Sequence, residues 1–264
     1  MTVIDQLGDG VYRFHYDSLQ INVGVIIGDT AVLVVDSRET HRYADEIRAD
    51  LRSLTNLPVG WVVNTHFHWD HTWGNARFPE AQLWGHEMCR EEMLRNPEKE
   101  RRRVLERASE DQRREFEEVA ITPPANTFSR TTTIDVGNRS ADLRYHGLGH
   151  TNSDIVIRVG DVLFAGDLIE HGAPPSFGDS YPMSWNPTLK TIEIPDVVVP
   201  GHGFVVDRDF VAAQTAEIAA VAELARNGHR DGAPIDALLH EGPYPPQTMR
   251  IALARAYAQL DDEI

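Results

Sequence analysis

THFHWDH, residues 65–71, sets three imidazoles and a carboxylate within seven positions. The strand WVVNTH (61–66) runs straight into this cluster, so the polar groups stand where a strand ends and not inside a helix. That excludes the helical HExxH arrangement of common zinc proteases. In extended backbone, residues two apart face one side, which pairs His66 with His68. A turn after them directs Asp70 and His71 to a second point nearby. Imidazole and carboxylate are donors suited to zinc, iron, manganese and similar ions.

Upstream, VYRF (11–14), INVGVIIG (21–28) and AVLVVD (31–36) read as short strands, with Gly28-Asp29 as a hairpin turn. Residues 38–54 change period: Tyr43, Ile47, Leu51 and Leu54 stack on one helical face. Downstream come a strand at AQLWGH (81–86) and a short helix bearing Cys89 and Met93. Pro97 to Val119 holds 15 charged residues in 23 positions, seven basic and eight acidic. This mixture predicts a solvated helix, an excursion or lid resting on Val104, Leu105, Ala108, Phe116 and Val119, and not a binding patch. The β pattern returns at 131–136, 141–146, 154–160, 162–167 and 197–203. Two helices close the chain, one from Asp207 to Gly228 and one carrying Met249, Leu253, Tyr257 and Leu260. The expectation is one α/β domain over 1–264. It has two similar halves, roughly 1–95 and 131–264, joined by the charged helical insertion at 97–119.

Three further donors repeat the strand-end placement. His150 follows LRYHGLG, Asp167 ends VLFAG and His202 follows VVVPG, each beside a glycine that lets backbone approach closely. Five histidines and two carboxylates suffice for two ions with positions left for water.

The series THFHWDH, GLGHTNSD, FAGDL and PGHG, with NVGVIIGDTAVLVVDS before it, resembles the signature of the metallo-β-lactamase superfamily. The resemblance implies a four-layer αββα sandwich, helices over sheet over sheet over helices, with the site at one edge. It implies that His66, His68 and His150 bind a first metal and that Asp70, His71 and His202 bind a second, with Asp167 bridging. In the β-lactam-hydrolysing branch a cysteine ligates the second metal. Here Asp167 stands near the corresponding part of the fold and Cys89 sits on a helical face, so the match is to the wider superfamily of metal-dependent hydrolases.

A bound divalent ion lowers the pKa of water from about 15.7 toward about 7, which supplies hydroxide at neutral pH. The implied cofactors are two divalent ions, zinc first, with iron or manganese as alternatives. The implied reaction is attack of a metal-bound hydroxide on a small ester, thioester, lactone or amide, with Asp70 orienting the water. Asp36, Thr151 and Asp154 are candidates to fix the ligand rings, though strand-end and turn roles suit them equally. The loop GAPPSFGDSYPMSW (172–185) offers Phe177, Tyr181 and Trp185 as an apolar substrate wall. Trp69 and His171 are further candidates for substrate contact. Two other readings share the scaffold: a persulfide dioxygenase-like oxidoreductase with one non-haem iron, and a small phosphodiesterase.

Composition narrows the field. Of 264 residues, 25 are basic and 41 acidic, a net charge of -16 that repels nucleic acid. No apolar stretch reaches the roughly 18 residues that span a bilayer, and MTVIDQLGDG has neither a basic start nor an apolar targeting core. A cytoplasmic protein acting on small molecules is expected. Cys89 is the only cysteine, which excludes intrachain disulfides and multi-cysteine metal sites.

Overall fold

The computed structural model describes residues 2–262. In chain order the first part contains β1 (Thr2–Gly8), β2 (Val11–Tyr16), β3 (Asn22–Ile27), β4 (Val32–Val35), α1 (His41–Leu54), β5 (Val59–Val63), α2 (Trp69–Thr72), β6 (Gln82–His86), α3 (Glu87–Arg95), α4 (Pro97–Arg107), α5 (Glu110–Glu117) and β7 (Asn126–Phe128). The second part contains β8 (Thr131–Asp135), β9 (Ser140–Tyr145), β10 (Ile155–Val159), β11 (Val162–Gly166), α6 (Pro182–Lys190), β12 (Val197–Pro200), α7 (Arg208–Arg230), α8 (Ile235–Leu238) and α9 (Pro246–Asp262).

The first seven strands form one sheet in sequence order, antiparallel from β1 to β4 and parallel from β4 to β7. The second sheet runs β12-β11-β10-β9-β8, with only the β11–β12 pair parallel. Alternation along the strands puts the sheets face to face. Leu33 and Val35 of β4 pack with Ile155 and Ile157 of β10 and with Val162 and Phe164 of β11. The intervening side chains turn outward: Val32 and Val34 meet Ala44, Ile47 and Leu51 of α1. On the other side Leu163 and Ala165 meet Ile218 and Val221 of α7 and Leu253 of α9. Strands that are apolar on both faces can only be middle layers. The result is an αββα sandwich.

Local signals place the helices. Thr40 caps α1 by accepting from the Tyr43 N–H, and Asp207 caps α7 by accepting from Phe210. The expected stop of α7 at Gly228 is corrected, since the helix runs to Arg230. A Cβ at residue 228 would strike Leu238 and Tyr257, so that glycine serves close packing and not helix termination. The charged segment is also corrected, from one helix to two. Ala108 is extended, and Ser109 restarts the chain through a capping box with Gln112. This hairpin is fastened by Val104, Phe116 and Val119 against Trp73. Two edge strands, β1 and β7, have no counterpart in the sequence reading, and Pro182 starts α6 within the presumed 172–185 loop. No helix among the described residues is long and apolar enough to cross a membrane.

Candidate active site

Strand ends of both sheets deliver the donors to one edge of the sandwich. His66 and His68 follow β5, α2 carries Asp70 and His71, His150 follows β9, Asp167 follows β11 and His202 follows β12. His66, His68, His150 and Asp167 place ligand atoms within 4.8 Å of one another, and Asp70, His71 and His202 do the same beside them. Asp167 lies between the groups: its Oδ2 is 3.4 Å from His150 Nε2 and 3.5 Å from His202 Nε2, and its Oδ1 is 3.3 Å from His71 Nε2. Gly201 makes this approach possible, because any side chain there would collide with the Asp167 carboxylate.

Each imidazole is oriented from behind. A carboxylate or carbonyl only accepts, so the ring nitrogen facing one carries the proton. His71 Nδ1 donates to Asp36 at 2.9 Å, His150 Nδ1 to the Ser176 carbonyl at 3.2 Å and His202 Nδ1 to the Leu19 carbonyl at 2.9 Å. His68 points the other way, its Nε2 donating to both oxygens of Asp179 at 3.1 Å. Thr65 Oγ1 gives its proton to Asp36 at 2.8 Å and therefore accepts from His66 Nδ1 at 3.0 Å. Asp36 thus steers a ring in each group. It holds a left-handed backbone angle (φ 66°), a strained conformation that the buried hydrogen bonds over-determine.

In the neutral form of each ring the inward nitrogen then carries a lone pair, and these nitrogens crowd. His68 Nδ1 is 3.0 Å from His66 Nε2 and 2.9 Å from His150 Nε2, while His71 Nε2 and His202 Nε2 are 3.3 Å apart. Asp167 Oδ1 is buried and accepts no hydrogen bond. Lone pairs held this close repel one another unless a cation lies among them. Donors about 2.0–2.1 Å from a tetrahedral ion stand ~3.3 Å apart, so the set fits divalent metal.

The electrostatics agree. Burial drives His66 well below the ordinary imidazole value and His150 down to about 4, so both are neutral donors. Burial also opposes charge on His71 and His202, but Asp167 and Asp70 overcome it and pull both well upward. Protons occupy that position here, and a bound divalent ion would displace them. Asp70 is pushed up by burial, yet His71 and His202 hold it at about 2.

A cavity of about 480 Å³ opens over the donors. Trp69 and Phe177 line it. Tyr181 lines a neighbouring cavity of about 470 Å³ that shares Arg103 and Asp179 with the first. Trp185 is no wall. It is fully buried 5.8 Å behind His150, and its indole N–H donates to the Leu168 carbonyl. His171 lies outside the cavity, accepting from the Phe204 N–H. Thr151 and Asp154 bond to each other at 2.6 Å and fix the turn after His150, with no hydrogen bond to a ligand ring among the described residues. Cys89 is buried, and desolvation raises its thiol pKa. Sequence reasoning missed Asp179, Glu170, Arg103, Arg107, Gln247 and Thr248, all on the cavity wall. None belongs to the donor motif. Only the cluster of Gly, Pro and Asp around Asp179 hinted at a shaped loop.

The family model of the metallo-beta-lactamase superfamily matches residues 16–202, more than half of the chain. The chain belongs to the metallo-beta-lactamase superfamily. Solved structures agree on the fold. A metallo-beta-lactamase from Pontibacter korlensis superposes with a TM-score of 0.68 and 17% identity, over 83% of this chain and 99% of that one. The sec-alkylsulfatase Pisa1 from Pseudomonas sp. gives a TM-score of 0.78 at 15% identity, over 98% of this chain and 50% of that longer one. The DIM-1 metallo-beta-lactamase gives 0.63 at 16%, over 83% and 97%. No curated protein sequence matches the chain. Members of the metallo-beta-lactamase superfamily are mostly metal-dependent hydrolases, and the His/Asp groups are the candidate metal donors of this chain.

Proposed function

We propose that this metallo-beta-lactamase superfamily member hydrolyses a small ester, thioester, lactone or amide with two divalent ions, zinc by the character of its donors. The carrying observation is the convergence of five inward imidazole nitrogens, each with its other nitrogen committed to an oxygen, around two carboxylates. His66 Nε2, His68 Nδ1 and His150 Nε2 are assigned to one ion. Asp70, His71 Nε2 and His202 Nε2 are assigned to the other, with Asp167 shared. Such ions, when bound, lower the pKa of water toward neutrality and polarise a carbonyl oxygen. Zinc sites that only staple a fold close their shell with four ligands and favour cysteine, which does not describe this set.

The chain's own groups do the rest. Asp70 is ionised at neutral pH and faces the cavity, where its carboxylate would accept a hydrogen bond from the attacking water and orient it. Trp69, Phe177 and Ile251 displace solvent from the substrate and strengthen the field of the donors. A volume of about 480 Å³ suits a small molecule, and the charge of -16 disfavours a polyanion.

Elemental analysis of the purified chain, paired with a hydrolysis screen across esters, thioesters, lactones, amides and phosphodiesters, tests this reading. Two zinc per chain and activity that vanishes on chelation are expected. Full hydrolysis by metal-free protein would remove it. One iron per chain with oxygen consumption on a persulfide would replace it with a dioxygenase.

A further inference from the structure

Helix α4 presents Arg103 and Arg107, four residues apart and so on one face, to the same cavity as His68, Asp70, His150, Asp167 and His202. Of the other arginines of the α4–α5 hairpin, Arg102 and Arg113 do not line this cavity, and Arg101 and Arg114 are engaged elsewhere. Arg101 binds Glu98 and the carbonyls of Phe116 and Val119, and Arg114 binds Glu118. Arg103 commits one terminal nitrogen to Glu100 at 2.9 Å, and Arg107 has no hydrogen-bond or ion-pair partner among the described residues. Val104, between them in sequence, is buried against Trp73 and Phe116, and both arginines line a smaller cavity together with Trp69.

The opposite wall has the same sign. Gln247 and Thr248, in the first turn of α9, line the cavity. First-turn N–H groups lack helical acceptors and face the positive end of the helix dipole. The cavity's carboxyl groups offset only part of this: Asp179 and Asp70 also attract Arg103. Asp70 and Asp167 face imidazoles, Asp179 is bound by His68, and Glu170 is buried with one oxygen accepting from the Ser176 N–H. In a chain of charge -16, the general field repels anions, so selection of one has to be local.

We infer that the substrate carries an oxyanion, as carboxylate, sulfate or phosphate, and that Arg103 and Arg107 are the residues that select it. The inference rests on the hydrolase reading and names its substrate class. A guanidinium offers paired donors in the geometry of such anions.

The test uses the zinc-loaded full chain and matched nitrophenyl esters: the neutral acetate, the hemisuccinate with a remote carboxylate, and the sulfate and phosphate monoesters. The anionic ester of the right geometry is expected to exceed the acetate in kcat/KM by about tenfold to a hundredfold, the scale of a charge-assisted hydrogen bond. Preference for the hemisuccinate places the anion away from the scissile bond, and preference for the sulfate or phosphate places it at that bond. In the double variant Arg103→Ala/Arg107→Ala the ratio is expected to fall toward one, with Arg107→Lys retaining part of it. Circular dichroism verifies that each variant folds. Equal kcat/KM for neutral and anionic esters, or an anion preference that survives in the double variant, would overturn the inference. If neither these esters nor the thioesters, lactones and amides of the wider screen are cleaved, the hydrolase reading fails instead. Calorimetric titration with succinate then decides separately: heat lost in the double variant supports the anion site, and unchanged heat refutes it.

Discussion

The donor cluster and the wall across the cavity from it occupy the same volume of solvent but are held in different ways. His66, His71 and His150 are essentially inaccessible, and each ring is gripped by an oxygen behind it that is itself bonded or part of the backbone. The wall is drawn from α4, the loop around Asp179 and the start of α9, and Arg107 stands in solvent. One region is over-determined and the other adjustable. On the proposed reading, reaction type is set where the sheets end, and choice of substrate where the peripheral helices lean over them. Asp179 is the exception that joins the two, since it sits on the wall yet fixes His68.

Substitutions can break this contrast or sharpen it. The largest effect is expected from His68→Ala, which should lower kcat by at least about a thousandfold while the melting temperature falls only a few degrees. Collapse of the fold in a thermal melt would mean the cluster is a staple. Next, Asp36→Asn should weaken binding of both ions about ten- to a hundredfold, because His66 and His71 depend on one carboxylate. Asp179→Asn should weaken only the ion assigned to His68. Competition with a chelator, read as zinc stoichiometry, separates the two, and a silent Asp179→Asn would detach wall from cluster entirely.

A smaller effect lies in Glu170. In the metal-free protein, burial raises it to about 8 from an ordinary value of 4.5. Between those limits the folded chain keeps a proton that the unfolded chain has released, so stability is complete below about pH 4.5 and declines as pH rises through about 8. Glu170→Gln removes that decline, and the gain at pH 8 relative to pH 5 should be on the order of 2 kcal/mol. Urea midpoints at the two pH values measure it; parallel shifts in both proteins would contradict it. Smallest of all, Arg114→Ala deletes an exposed ion pair with Glu118 and should change stability by no more than about 0.5 kcal/mol in a thermal melt.

How much of this was legible follows the range of the signal. The cluster at 65–71 was readable because ligand spacing within an extended segment is a local property. His150, Asp167 and His202 were readable because each closes an apolar β run beside a glycine. The restart of the helix at Ser109 was written in its capping box with Gln112, yet was hidden by the uniform charge around it. Arg103 and Arg107 were unreadable for the same reason: in a stretch with seven basic and eight acidic residues, nothing local distinguishes a guanidinium over a cavity from one in solvent. Trp185 erred the other way, since an aromatic near a site can serve the packing behind a ligand as well as the surface before it.

The sequence by itself determined the donors, their order and the two-layered strand pattern, because period, spacing and glycine placement act through backbone geometry over a few residues. Only the tertiary structure decided which nitrogen of each ring faces inward, that Asp36 serves both groups, and which side chains close the cavity. Those outcomes depend on partners tens to more than a hundred residues away, whose meeting is fixed by how two sheets pack and not by any neighbour in the chain.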